Sequence, residues 1–143
     1  NIIKSVWTYP MEILPCRNKK GDLDWYFPVK IMDGEDSDDI NNLSSSQSDI
    51  VNHAFKRLIM LTHDLEDFPL FNDELSNTMD DTHRVNAMKM IYDTVINNQC
   101  SQMFFISHFA PQHGVFTQAE CLVINADNLQ TLPENYNAHA KII

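Results

Sequence analysis

Three consecutive patterns in the second half of the chain limit its fold more than any other feature. The apolar run "FPLF", Phe68 to Phe71, ends on Asn72, Asp73 and Glu74. "THRVNAMKMIYDTVINN" follows, with Val85, Met88, Ile91, Tyr92 and Val95 on one helical face and Asn97 and Asn98 as its stop. "SQMFFISH" is then a second apolar run, ending at His108. Apolar positions three and four apart specify an amphipathic helix, whereas a short unbroken apolar run specifies a strand buried on both faces. Strand, helix, strand with little alternation inside the strands predicts a parallel, two-sided sheet. "ECLVIN", Glu120 to Asn125, continues the pattern as a third strand. The predicted class is α/β, a mostly parallel sheet flanked by helices.

The first half reads differently. "MEILPC" (Met11 to Cys16) and "WYFPVKIM" (Trp25 to Met32) are rich in strand formers, and Asn18 and Gly21 between them supply a turn, so an antiparallel hairpin is predicted. The acidic loop Asp33 to Asn42 reads as a solvated connection. From Gln47 onward Ile50, Val51, Ala54, Phe55, Leu58, Ile59 and Leu61 recur at helical spacing, predicting a helix through about Leu65. Its start is "LSSSQ": Ser44 with Gln47, and Ser46 with Asp49, have the spacing of a capping box. The first turn of a helix carries N–H groups with no intrahelical partner, so this end is electropositive and suited to an anion.

Composition narrows the class. A chain of 143 residues with 43% hydrophobic content makes one domain with its own core. The net charge of -10 argues against a large nucleic-acid footprint, because phosphate binding needs clustered Lys and Arg. Any nucleic-acid contact is expected from a partner or another portion of the protein. No apolar run reaches the 18 or so residues of a membrane span, and the first residues show no leader pattern, so a cytoplasmic protein is expected. Cys16, Cys100 and Cys121 are odd in number and lack CxxC spacing, which predicts buried reduced thiols. The six histidines form no HExxH pair. Trp7, Tyr9, Trp25 and Tyr26 lack interleaved basic residues and read as core or edge packing. Arg17, Lys19 and Lys20 read as a solvated turn, and Arg84 as a local ion pair.

In open α/β sheets ligands sit outside the carboxyl ends of the strands, where Asp73, Glu74 and His108 fall. Two adjacent acids there can divide labour, one holding a divalent cation through water and the other taking a proton from an attacking water.

"LSSSQ" opening a helix, then "FPLFNDE", "NTMDD" and "FFISH", resembles in that order the LSGGQ signature, Walker B strand, D-loop and H-loop of the C-terminal lobe of an ABC-type ATPase head. The resemblance covers residues 26–128. It is nearest to the SMC-like DNA-associated ATPases, the group of SbcC and RecF, because Glu74 is followed by Leu75 where transporter ATPases usually carry proline. It divides the chain into a hairpin and acidic loop (1–42), the signature and its helix (43–65), and Walker B, D-loop, H-loop and terminal strands (66–143). It implies that Ser44, with the N–H groups of Ser45, Ser46 and Gln47, binds the γ-phosphate of ATP held by an opposing head. Asp73 then supports Mg²⁺, Glu74 activates the hydrolytic water, Asp80 crosses the dimer interface, and His108 contacts the γ-phosphate. The implied partners are a second head, DNA through the complete complex, and a nuclease or accessory subunit, in a nucleoid- or DNA-associated setting.

Several positions depart from the family pattern. Ser45 and Ser46 stand where the family has glycines that permit close backbone approach. Asn72 replaces the usual apolar residue before the aspartate, and Pro69, which cannot donate to a ladder, is expected at the strand's beginning. Nothing resembles GxxxxGK[ST], and the three glycines are Gly21, Gly34 and Gly114, so a separate N-terminal Walker A lobe must complete the nucleotide site. A start at Asn1 without methionine fits a C-terminal portion of such a head. Two rivals stand beside this reading: a nucleotide-binding subunit of another ABC branch such as a transporter, and a degenerate head that binds partners without turnover.

Overall fold

The structure, a computed structural model, describes residues 2–18, 25–32, 38–97, 100–107, 116, 122–123 and 141–142. In chain order they form α1 (Ile2–Val6), β1 (Met11–Ile13), β2 (Arg17–Asn18), β3 (Trp25–Tyr26), β4 (Pro28–Ile31), β5 (Asp38–Asp39), a 3-10 turn (Ile40–Asn42) and α2 (Ser45–Thr62). Then come β6 (Leu70–Asp73), α3 (Asp81–Ile96), β7 (Met103–Ile106), β8 (Leu122–Val123) and β9 (Lys141–Ile142). The architecture is mixed α/β.

The predicted hairpin is present. β1 pairs antiparallel with β4, Met11 opposite Ile31 and Ile13 opposite Val29, and β2 pairs antiparallel with β3. Within the acidic segment the described residues Asp38 and Asp39 form β5 on the outer edge of β4, making a three-stranded antiparallel sheet. A ladder is made of backbone groups, so an edge strand needs little from its side chains, and charged residues on an edge deter further pairing.

The expectation of a mostly parallel sheet needs correction. Among the described residues parallel pairing is confined to two separate strand pairs, β6 with β7 and β8 with β9. In the first pair Leu70, Phe71, Asn72 and Asp73 stand opposite Met103, Phe104, Phe105 and Ile106. Parallel neighbours need a crossover, and α3 supplies it. Pro69 precedes β6, where its missing N–H interrupts nothing.

These strands are not buried on both faces. Leu70 and Asn72 are buried, while Phe71 is 57% exposed, Phe104 43% and Ile106 52%. Phe71 and Phe104 stack on the bare face with centroids 4.8 Å apart and planes 7° from parallel. An unbroken apolar run cannot report which of its residues are covered, because that depends on which layers are present.

α2 runs from Ser45 to Thr62, starting two residues before and ending three residues before the span its apolar pattern predicts. It stops where His63 caps it and Asp64 takes a φ of 53°. Its inner face also differs from the predicted stripe. Ile50, Val51, His53, Arg57 and Met60 are buried, whereas Leu58, Ile59 and Leu61 are exposed. Ile50, His53, Arg57 and Met60 are spaced three, four and three residues apart, a single helical row. The helix has more apolar residues than one buried row can hold, so the single stripe expected from the sequence includes residues that face solvent. α3 buries Ala87, Met88, Met90, Ile91 and Thr94 and leaves Val85 exposed.

The main core joins Ile3, Val6 and Trp7 of the N-terminal segment with Met11, Val29, Ile50, Val51, Met88 and Ile91. α1 packs against both α2 and α3, and Asn86 Nδ2 donates to the Val6 carbonyl at 3.0 Å. Trp7 is buried as expected, stacked on Tyr9 at 5.5 Å and beside His83 at 4.8 Å. A second cluster, Met60, Leu70 and Cys100, lies under β6.

The observed helix faces make a direct prediction. Ile91→Ala should lower unfolding stability by about 2–5 kcal/mol, whereas Leu58→Ala should change it by no more than about 0.5 kcal/mol, as read by urea denaturation.

Candidate functional site

Ser44 is the N-cap of α2, with extended φ and ψ of -61° and 159°. Its hydroxyl accepts from Gln47 N at 3.3 Å, and Gln47 Oε1 accepts from Ser44 N at 3.0 Å, a closed capping box. Gln47 Nε2 also donates to the Tyr9 hydroxyl at 2.9 Å, tying this helix start to the N-terminal segment. Ser44 and Ser46 hydroxyls lie 3.2 Å apart. The box uses the Gln47 N–H, so an incoming anion meets the N–H groups of Ser45 and Ser46 and the two hydroxyls, and has to compete for the third donor.

Asp73 ends β6 with an exposed side chain, and Glu74 follows with a φ of 51°. Glu74 N donates to the Ile106 carbonyl at 2.9 Å, so the parallel ladder fixes the point where the chain turns off the sheet. A left-handed non-glycine residue costs on the order of 1–3 kcal/mol and persists where its surroundings over-determine it. Ser76, at φ 76°, is a second such residue in the same turn. Arg84 braces that turn by donating to the carbonyls of Met79 at 2.6 Å and Ser76 at 3.4 Å, and pairs with Asp81 at 3.0 Å. The predicted local ion pair of Arg84 is thus present.

Asp80 is the N-cap of α3. Its carboxylate accepts from Thr82 N at 3.0 Å and His83 N at 3.2 Å, and from His83 Nδ1. The Thr8 N–H reaches His83 Nε2 at 3.4 Å, which makes Nε2 the acceptor and Nδ1 the protonated nitrogen. The His83 hydrogen bond holds the Asp80 carboxyl below the usual range, helped by the backbone donors. Asp80 is therefore engaged by its own helix while its side chain stays open to solvent.

Sequence reasoning missed what lies behind Asp73. An open cleft of about 350 Å³ is lined by Asp49, His53, Lys56 and Ile59 of α2 and by Asn72 and Asp73 of β6, among others. His53, 1% exposed, places Nδ1 2.9 Å from Oδ1 of Asn72, 3% exposed. An amide oxygen only accepts, so the imidazole donates from Nδ1. Among the described residues His53 Nε2 and Asn72 Nδ2 have no partner, nor have Nε and Nη2 of Arg57, whose Nη1 reaches the Met60 sulfur at 3.9 Å. The available signal was Asn72 itself, a polar residue at an apolar strand position. A single histidine within a helical pattern carries no such signal.

Ser44 and the Asp73–Glu74 pair share no described cleft or hydrogen bond. His108 lies outside the described residues, as do Lys19, Lys20, Gly21, Cys121, His113 and His139. No three metal-ligating side chains converge among the described residues. Asp73 alone suits a hard cation such as Mg²⁺, which keeps several waters and takes oxygens from substrate phosphates. No described helix is long and apolar enough to cross a membrane. The chain matches no protein family, no curated protein sequence and no solved structure in comparisons with known proteins.

Two measurements test this geometry. Ser44→Ala should cost about 1 kcal/mol of stability, whereas Ser44→Asp, which keeps an acceptor at the cap, should lose less. His53 titrates below its ordinary 6.5, chiefly because burial disfavours the imidazolium and also because Arg57 and Lys56 oppose it, with the Asn72 bond acting the other way. Below 6.5 the unfolded chain takes up a proton that the folded chain refuses, so stability falls with pH until the depressed folded value is passed. Asp49, raised by its partial burial against the opposing pull of Lys56, has the reverse sign and acts lower on the scale. Asp73 faces the same cleft. Denaturant midpoints between about pH 8 and pH 5 should decline in the wild type and flatten in His53→Gln.

Proposed function

We propose that this chain is the C-terminal half of an SMC-like ATPase head, which binds and hydrolyses ATP between two heads in the service of DNA repair, DNA processing or chromosome organisation. The observation that carries the reading is the carboxylate pair Asp73–Glu74 at the carboxyl end of a parallel strand, held there by the β7 ladder. That is where ligands sit in open α/β sheets.

In this reading Asp73 bears on Mg²⁺ and Glu74 draws a proton from the attacking water. Bound Mg²⁺ supplies charge neutralisation for the phosphates. Glu74 begins the turn that Arg84 braces, so its backbone is set before substrate arrives. The α2 N-terminus serves the ATP of the opposing head, a role that agrees with Ser44 standing apart from the described cleft that Asp73 lines. His108 completes the set by its place in the sequence. The bare face of β6 and β7, with its stacked phenylalanines, supports a covering layer from an N-terminal Walker A lobe, since parallel strands are ordinarily covered on both sides.

A second reading, a head that binds its partner without turnover, draws on the closed capping box. Gln47 N is already engaged, and Cβ atoms stand where glycines would admit the phosphate.

The two separate in one experiment with the full protein, Walker A lobe included. Glu74→Gln should slow ATP hydrolysis on the order of 10²-fold or more and prolong the ATP-bound dimer. Wild-type protein that dimerises on ATP yet turns none over supports the second reading, and unchanged turnover in the variant removes Glu74 from its role.

A further inference from the structure

We propose that His53, acting through Asn72, is a positioning residue for Asp73 and Glu74. The inference rests on the ATPase reading for its catalytic half and on geometry for the rest.

The carboxyl end of β6 is held at two points. On one side Asn72 Oδ1 accepts from His53 of α2 at 2.9 Å; on the other Glu74 N donates to the Ile106 carbonyl of β7 at 2.9 Å. Asp73 lies between these anchors with its side chain turned to the exposed side. Side chains alternate along a strand, so while the Asn72 amide is buried against His53 of α2, Asp73 takes the exposed position at the open rim of the same cleft. A slip or rotation of β6 would break the His53 bond and move both carboxylates together.

The chemistry of the pair separates positioning from simple stabilisation. A buried polar pair that leaves His53 Nε2 and Asn72 Nδ2 unpartnered contributes less than a fully satisfied one. Replacing both members by apolar residues of similar size is near neutral for stability in such cases. An apolar pair would bury the same surface without fixing direction, since only a hydrogen bond demands one orientation of the amide. What the pair adds is the orientation of residue 72, and residues 73 and 74 follow from it. Lys56 and Arg57 lie three and four residues beyond His53 on α2, and Asp49 and Asp73 line the cleft that His53 borders, so Asn72 is the described hydrogen-bond partner of the ring.

The test compares wild type, His53→Gln, Asn72→Leu and the double variant His53→Leu/Asn72→Leu in the full protein with its Walker A lobe. Heteronuclear NMR of the imidazole should show the Nδ1–H tautomer in wild type and lose its Asn72-dependent shift in Asn72→Leu. The Glu74 amide resonance should move in the double variant while its thermal midpoint stays near wild type. The kcat for ATP should fall about 10- to 100-fold with KM within about twofold, the pattern of misplaced catalytic groups. His53→Gln keeps an N–H donor and should restore kcat to within about threefold.

An unmoved Glu74 amide overturns the proposal, as does a moved amide with unchanged kcat in an active enzyme. If wild type hydrolyses no ATP, the ATPase reading fails separately, and the amide shift alone decides whether His53 positions the two acids. If the double variant unfolds, Asn72→Leu and His53→Gln carry the same comparison.

Discussion

The parallel pairing of β6 with β7 is the constraint on which the rest of the described structure depends. Two parallel strands cannot be joined by a hairpin, so α3 must leave one end of the pair and return to the other. Its inner face, Met88 and Ile91 above all, then joins α1, α2 and the antiparallel sheet in one core. The same crossover decides where the acids emerge. Asp73 reaches the edge level with Ile106, and the turn that follows needs left-handed backbone at Glu74 and Ser76. Arg84, one turn into α3, returns to brace that turn through carbonyls. Strand, turn and helix thus specify one another around Asp73, Glu74 and Asp80.

Much of this was legible because the signals were periodic or directional. The two long helices follow from apolar residues three and four apart, and the start of α2 from Ser44 at a capping-box position, whereas the Asp80 cap of α3 came from the structure. The β1–β4 hairpin followed from β-forming residues flanking a turn. Less legible was anything that depends on neighbours. Leu58, Ile59 and Leu61 look as core-like as Ile50 and Val51, and only the docking of α2 decides that the row through His53 and Arg57 turns inward. The acidic strand β5 was hidden because its side chains disfavour strands while its backbone pairs well. For the candidate site, the order of Ser44, Asp73, Glu74 and Asp80 was in the sequence, but the amide and imidazole holding Asp73 from behind were not.

Arg57 shows how the described core departs from apolar economy. A guanidinium with 1% exposure, touching a thioether and with no carboxylate partner among the described residues, is an expensive occupant of a helix face otherwise made of Ile50, His53 and Met60. Its long stem fills space under β6 beside Cys100, whose thiol burial pushes up and the nearby guanidinium pulls down. One buried guanidinium beside a buried imidazole, with Lys56 exposed at the rim, makes this stretch of α2 electropositive in an acidic protein.

The stacked Phe71 and Phe104 carry a consequence for how such a chain reaches its working state. Each lies on a different strand, and the strands are joined only through α3, so the apolar face comes into being when the parallel pair closes and not before. Until something covers it, the finished surface invites copies of itself as readily as a proper cover. On the proposed reading, in which a second lobe covers this face, the order of synthesis and assembly matters: a cover already folded when β7 docks protects the face at birth, and one that arrives late must compete with self-association.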